Sequence, residues 1–305
     1  MTFDQNAIAS AYIAPSGRNR ELKEEVKKVV FEKDSFLLSS LPARKSYWAQ
    51  NIWYEPKIHK IESIKKAADF LRSLQRNWWH HPLSNIRRTK LIQDSLPAIK
   101  HAPLPFPTQL QERELGSFAL LSEDELIYST KCQSNMPNGE YIFVSPDYET
   151  PSEAYLKVWE ALTRIGRVPT SKDFCIDLGS CPGSWTQAIL ALGSRVASVD
   201  TAPLKIEGSP HLEFLKKDAF KLNPSEFENP NWIFSDIICY PEKLLALAKE
   251  WKKIHPQANF VFTIKFQGKW DRVCVEKFRQ IPNSNVVHLF NNKHELCWIS
   301  GPELV

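Results

Sequence analysis

From about residue 174 onward the chain alternates short apolar runs with longer amphipathic stretches. The apolar runs at residues 174–178, 196–200, 212–216, 232–236, 259–265, 286–290 and 295–300 have the length of strands and predict seven of them. The stretches at 152–164, 184–192, 241–254 and 269–280 carry helical periodicity, and Pro241 suits a first helical turn. Strands alternating with helices predict an α/β sheet covered by helices. Only Asn291, Asn292, Lys293 and His294 separate the last two strands, too few residues for a crossover, so these two form an antiparallel hairpin.

Upstream the pattern is less regular. It predicts a strand at 9–14, helices at 20–30 and 63–78, and strands at 126–131 and 141–145. Residues 100–109 contain Pro103, Pro105 and Pro107, which break any regular element and read as a connector; the acidic stretch 112–125 follows. The chain therefore divides into an α+β part, residues 1–148, and a sheet-bearing part, residues 149–305.

With 305 residues and 43% hydrophobic content, the chain can bury a core in each part. The formal net charge is only +4, but residues 43–101 hold twelve Lys/Arg against four Asp/Glu, so positive charge is concentrated in the N-terminal part. Within it, Arg76, Arg87, Arg88 and Lys90 lie near Trp78, Trp79, His80 and His81, a mixture suited to phosphate contacts and base stacking. On a helix Trp78 and Trp79 would face about 100° apart, which puts at least one in the core. The six cysteines form no C-x-x-C pair, and His80 and His81 have no Cys or acidic partner at ligand spacing, so neither disulfides nor a metal is expected. The first residues lack the basic and apolar regions of a leader, and no apolar run is long enough to span a bilayer. A cytoplasmic enzyme that binds no membrane is the expectation.

The chemistry is concentrated after the first strand of the sheet. Asp177-Leu178-Gly179-Ser180-Cys181-Pro182-Gly183-Ser184-Trp185 ends a strand, turns on small residues and opens a helix, the way α/β proteins present backbone N–H groups to a cofactor. Position 181 is Cys, which departs from the G-x-G-x-x-G of dinucleotide sites. Asp236 and Lys265 end neighbouring strands at the carboxyl edge, and Glu295, which starts the returning strand, lies at that same edge. Lys157 borders the apolar stripe of the helix through Val158, Leu162 and Ile165.

The run from Asp177 to Trp185 resembles the DLG-x-x-PGGW signature of the FtsJ-like, S-adenosylmethionine-dependent RNA 2′-O-methyltransferases, with Ser184 where Gly is usual. From about Ser117 to the C-terminus the resemblance is to the RlmM type, which modifies large-subunit, 23S-type ribosomal RNA and carries an extra N-terminal RNA-binding region. It implies a class I, Rossmann-like methyltransferase sheet with an antiparallel last strand. It also implies a catalytic tetrad, Lys157, Asp236, Lys265 and Glu295. Lys265 would take the proton, with burial and a second cation lowering its pKa; Asp236 would orient it, and Lys157 and Glu295 would position the ribose hydroxyl.

For the cofactor, S-adenosyl-L-methionine, Gly179, Ser180, Cys181, Pro182 and Gly183 are expected to wrap the methionine portion, whose carboxylate would accept N–H bonds near the helix start. Asp200 is expected on the ribose hydroxyls, and Asp218 on the adenine amino group with Ala219 and Phe220 near the ring. Trp185 would line the pocket and Asp236 would border the cofactor. The same tetrad would serve a methyltransferase for transfer RNA or an RNA cap, and a non-catalytic RNA-binding adaptor could keep the fold. A monomer is expected.

Overall fold

The computed structural model describes residues 8–99, 101–110 and 113–303, so Lys100 of the connector and Glu112 of the acidic stretch lie outside the described residues. The chain forms two compact units, one within residues 1–103 and 111–142 and the other within 104–110 and 143–305. The expected boundary at 148/149 thus contrasts with a division at 142/143 and a return of the proline-rich connector to the C-terminal unit. Three prolines without N–H groups cannot extend a ladder. Residues 141–145 accordingly form no strand, only a bridge between Leu104 and Phe143. Phe106 stacks on Trp159 with centroids 4.6 Å apart, and Phe143 meets the same ring edge-on at 5.7 Å.

The N-terminal unit holds β1 (Ser10–Ile13), α1 (Asn19–Glu25), β2 (Val29–Lys33), β3 (Phe36–Ser39), β4 (Asn51–Tyr54), β5 (Lys57–Lys60), α2 (Ile64–Leu74), β6 (Trp78–His80), α3 (Ile86–Asp94), β7 (Gly116–Leu120), β8 (Glu125–Ser129) and β9 (Lys131–Cys132). Its sheets run β2-β3-β1-β4-β9 and β5-β8-β7-β6. Two expected helices are shorter than their patterns. The first stops at Glu25, because Lys28 takes a positive φ of 52° that turns the chain into β2. The second is α2, capped by Ser63, whose Oγ accepts the Lys66 N–H at 3.2 Å; it ends at Leu74, and Trp78–His80 pairs instead as a strand parallel to β7. Trp78 and Trp79 therefore point to opposite faces of a sheet. Trp78 is fully buried, and its indole N–H donates to the Leu71 carbonyl at 2.9 Å.

The C-terminal unit runs α4 (Tyr155–Ile165), β10 (Phe174–Leu178), α5 (Ser184–Leu190), β11 (Arg195–Asp200), β12 (Leu212–Lys216), β13 (Trp232–Ser235), α6 (Pro241–Ile254), β14 (Asn259–Lys265), α7 (Arg272–Arg279), β15 (Ser284–Val287) and β16 (Glu295–Ser300). The seven strands form one sheet in the order β12-β11-β10-β13-β14-β16-β15. The pairs β12–β11, β11–β10, β10–β13 and β13–β14 are parallel, and β16 is antiparallel to both β14 and β15. This is the Rossmann-like methyltransferase sheet, with the reversed strand inserted beside the last parallel one. Its central strands bury residues from both faces. Phe260, Val261, Phe262 and Ile264 of β14 are all fully covered, as a strand sandwiched between helix layers must be.

Local chemistry sets the element ends. Gly166, with φ 75°, stops α4 in the left-handed conformation, and Asp271 caps α7 by accepting the Cys274 N–H at 2.9 Å. The strand expected over 286–290 instead spans Ser284–Val287. Beyond it, the N–H of Phe290 donates to Glu160 Oε1 at 2.9 Å rather than to a neighbouring strand.

Candidate active site

The turn between β10 and α5 is built on two glycines. Gly179 has φ 76° and Gly183 has φ 116°, conformations that a residue with a Cβ adopts only under strain. A Cβ at Gly179 would collide with the Ile237 side chain, and one at Gly183 would sit 2.9 Å from Ile206 Cγ2. Asp200 braces the turn from the end of β11: its Oδ2 accepts the Cys181 N–H at 2.9 Å and its Oδ1 accepts the Ala202 N–H at 2.9 Å. The Gly179 N–H donates to Val199 at 2.8 Å and the Pro182 carbonyl accepts from Lys205 at 2.8 Å.

Beneath the turn lies the carboxyl group of Asp177, fully buried. Its Oδ2 accepts the Thr186 hydroxyl at 2.6 Å, while Oδ1 and the nearby Ser180 Oγ are buried with no hydrogen-bond partner among the described residues. Burial raises the Asp177 carboxyl to about 7, with Asp236 and Asp200 adding repulsion and the Thr186 hydrogen bond opposing it. Asp218 uses Oδ1 to accept the Phe220 N–H at 3.0 Å, and Ala219 is buried beside it. Trp185, expected to line the pocket, is instead a core residue, 3% exposed. Its apolar ring packs near Phe234 and its N–H is consumed by the Ala154 carbonyl at 2.9 Å.

The four charged residues meet. Asp236, the residue after β13, places Oδ1 3.1 Å from Lys265 Nζ and 3.4 Å from Lys157 Nζ. Lys157 Nζ also lies 2.6 Å from Glu295 Oε1, and Lys265 Nζ donates to the Asp236 carbonyl at 2.5 Å. Lys265 and Glu295 are direct partners across the β14–β16 ladder, which fixes the glutamate on the expected face. At Lys157 two opposing effects meet. Burial pushes its ammonium group down, but the carboxylates of Asp236 and Glu295 outweigh that and hold it above the ordinary lysine value.

Two supporting carboxylates escaped the sequence reading. Glu160 is fully buried on α4, where it receives Arg164 Nε at 2.9 Å, the Phe290 N–H at 2.9 Å and the Asn291 N–H at 3.4 Å. The available signal was a glutamate inside the apolar window Val158 to Leu162. Asp177 was read as part of the turn signature without a role for its side chain.

In the N-terminal unit, Arg76, Arg87 and Lys90 are exposed and Arg88 is half-buried; Lys90 pairs with Asp94 at 3.3 Å. Trp79 is half-buried with its ring 4.7 Å from His101 and 5.4 Å from His80. His81 is buried, which lowers it to about 4 and keeps the ring neutral. Among the described residues no cluster of His, Cys, Asp or Glu could hold a metal ion, and no helix is long and apolar enough to cross a membrane.

Residues 151–304 match the family model of the FtsJ-like methyltransferases. The ribosomal RNA large subunit methyltransferase M of Actinobacillus succinogenes is 28% identical over 167 residues, covering 48% of this chain and 46% of that protein. The protein of the same name from Laribacter hongkongensis is 30% identical over 186 residues, covering 52% of this chain and 51% of its own length. The matched regions thus span about half the length of these curated relatives. Among solved structures, the fibrillarin pre-rRNA processing protein of Methanococcus jannaschii is similar with a TM-score of 0.37 at 12% identity, covering 60% of this chain and 80% of that one. The glycine turn and all four converging charges fall inside the span of the family match, and the chain belongs to the FtsJ-like methyltransferase family.

Proposed function

We propose that the chain transfers a methyl group from S-adenosyl-L-methionine to a ribose 2′-hydroxyl of RNA, with large-subunit ribosomal RNA as substrate. One observation carries the reading: Lys157, Asp236, Lys265 and Glu295 form a contiguous charge cluster at the sheet edge that also bears the glycine turn. Such an edge is where open α/β sheets take ligands. The names of the curated relatives support the choice of RNA.

The residues of the turn fit the cofactor. Buried Ser180 Oγ and Asp177 Oδ1 have no partner among the described residues, and buried polar atoms of this kind call for one. Each oxygen of Asp200 keeps a lone pair beyond its backbone bond, available to ribose hydroxyls, and Asp218 with Ala219 and Phe220 borders the adenine. Gly179, Ser180, Cys181, Pro182 and Gly183 wrap the remainder. When bound, the cofactor supplies an electrophilic methyl group.

Proton removal falls to the neutral amine form of Lys265, the lysine that Asp236 orients through both its carbonyl and its carboxylate; the amine takes the 2′-hydroxyl proton and becomes an ammonium beside that carboxylate. Lys157, kept charged by two carboxylates, stabilises negative charge developing on the 2′-oxygen, and Glu295 aims Lys157. In the N-terminal unit, exposed Arg76, Arg87 and Lys90, with Arg88, contact RNA phosphates. All six cysteines are free, which suits a reducing compartment such as the cytoplasm.

The test is incubation of the purified chain with labelled S-adenosyl-L-methionine and deproteinised large-subunit ribosomal RNA, followed by digestion to nucleosides and mass spectrometry. A 2′-O-methylnucleoside is expected. Label in a base or in protein would overturn the reading.

A further inference from the structure

The three most exposed large hydrophobic side chains among the described residues are Ile238 at 77%, Val273 at 66% and Tyr240 at 65%. All three belong to the segments that leave two adjacent parallel strands at one edge: Ile238 and Tyr240 follow β13, and Val273 lies in the first turn of α7 after β14. That edge carries Asp236 and Lys265. Elsewhere in the unit the large apolar side chains left exposed, Val144 at 52% and Ile254 at 41%, are scattered singly, so the three most exposed, gathered in the segments that leave the edge of the charge cluster, mark an interaction surface.

The backbone under it is fixed. Ile237 packs against Gly179, Cys239 is buried, and the Tyr240 carbonyl accepts the Lys243 N–H at 3.1 Å and the Leu244 N–H at 3.2 Å. The loop is anchored at alternate residues while the Ile238 and Tyr240 side chains stand free. Such a surface stacks a ligand without ordering itself first.

Charge selects the occupant. Lys243, Lys269 and Arg272 are exposed in the same two segments. Of the carboxylates there, Asp271 is engaged in capping α7 and Glu242 remains. An apolar and aromatic surface edged by cations suits a single nucleic-acid strand, whose bases stack and whose phosphates pair with Lys and Arg.

We infer that Tyr240, flanked by Ile238 and Val273, is the stacking surface for a base of the RNA strand presented to the charge cluster, with Lys269 and Arg272 on its phosphates. This rests on the proposed methyl transfer to RNA. Tyr240 is a specificity-determining contact: it holds the base while the tetrad acts on the ribose.

The test measures retention of deproteinised large-subunit ribosomal RNA by the full chain and its Tyr240→Ala, Tyr240→Phe and Lys269→Ala/Arg272→Ala variants. Methyl transfer by the wild-type protein is assayed alongside. Loss of one stacked base predicts roughly tenfold weaker binding for Tyr240→Ala, with Tyr240→Phe close to wild type. The double variant lowers the salt dependence of binding. Cofactor affinity, measured by calorimetry, stays at the wild-type value in all three and reports an intact fold. Wild-type binding by Tyr240→Ala, or equal losses for Ala and Phe, overturns the inference while leaving methyl transfer untouched. Tyr240-dependent binding without methyl transfer removes the functional reading and with it the role of Tyr240 in presenting a ribose to the tetrad. A chain that retains no RNA sinks both.

Discussion

Lys157 Nζ lies 2.6 Å from Glu295 Oε1, joining the helix that precedes the sheet to the strand that ends it. Asp236 completes the arrangement by standing between Lys157 and Lys265, so that two amino groups and two carboxyl groups share one network. Removing one member leaves an uncompensated charge, and single substitutions here act on more than one partner.

Lys265→Ala removes the proposed proton acceptor. Turnover should fall by roughly 10²–10⁴, the range of general-base contributions, with cofactor affinity by calorimetry unchanged. Full turnover would transfer the proton to another group.

Glu160 holds the chain that leads into Glu295 against the helix that carries Lys157. Glu160→Ala strips a fully buried carboxylate from Arg164 and from two backbone N–H groups. The expected loss of stability is about 3–5 kcal/mol, read by denaturant unfolding of the unit's tryptophans, and turnover should fall with it. A change below about 1 kcal/mol would show that the loop holds itself.

Asp177 gives a pH signature. Its folded value of about 7 exceeds the ordinary 3.8, so between these pH values the folded chain binds more protons than the unfolded chain. The contribution of this group to stability is therefore complete below the ordinary value, falls as pH rises through the window, and is lowest above 7. Asp177→Asn should flatten that dependence. Melting temperatures of variant and wild type, compared from pH 5 to pH 8, should diverge in the variant's favour as pH rises; parallel curves would refute the burial account.

Gly183→Ala forces a side chain into φ 116° beside Ile206. Strain of about 1–3 kcal/mol is expected, and the turn should relax away from its cofactor-binding shape. Calorimetry should find cofactor affinity reduced at least about tenfold, with the N-terminal unit unaffected.

The sheet was legible because its strands are apolar runs of the right length, and the parallel strands end where the runs end, β13 alone stopping one residue sooner, at Ser235. Asp236, Lys265 and Glu295 could be gathered from register alone, since a strand that reverses brings its first residue to the edge where its neighbours finish. Lys157 needed the family resemblance, because a lysine beside an apolar stripe is ordinary in a helix. Trp78 was misplaced because residues 63–78 keep a helical rhythm past Leu74, and only the pairing with β7 shows that the chain extends there. Glu160 stayed hidden because its i,i+4 spacing to Arg164 reads as an ordinary helix-surface pair, while its other partners are main-chain N–H groups of Phe290 and Asn291, far along the chain; Asp177 stayed hidden because its partner is the neutral hydroxyl of Thr186, which leaves no charge pattern.

Since Lys265 and Glu295 face each other across one rung of an antiparallel pair, the amine and its companion carboxylate belong to a single stiff ribbon. Thermal breathing of the mouth cannot separate them without tearing the ladder. The spacing of these two groups is therefore set by the sheet and not by the turns that border the mouth.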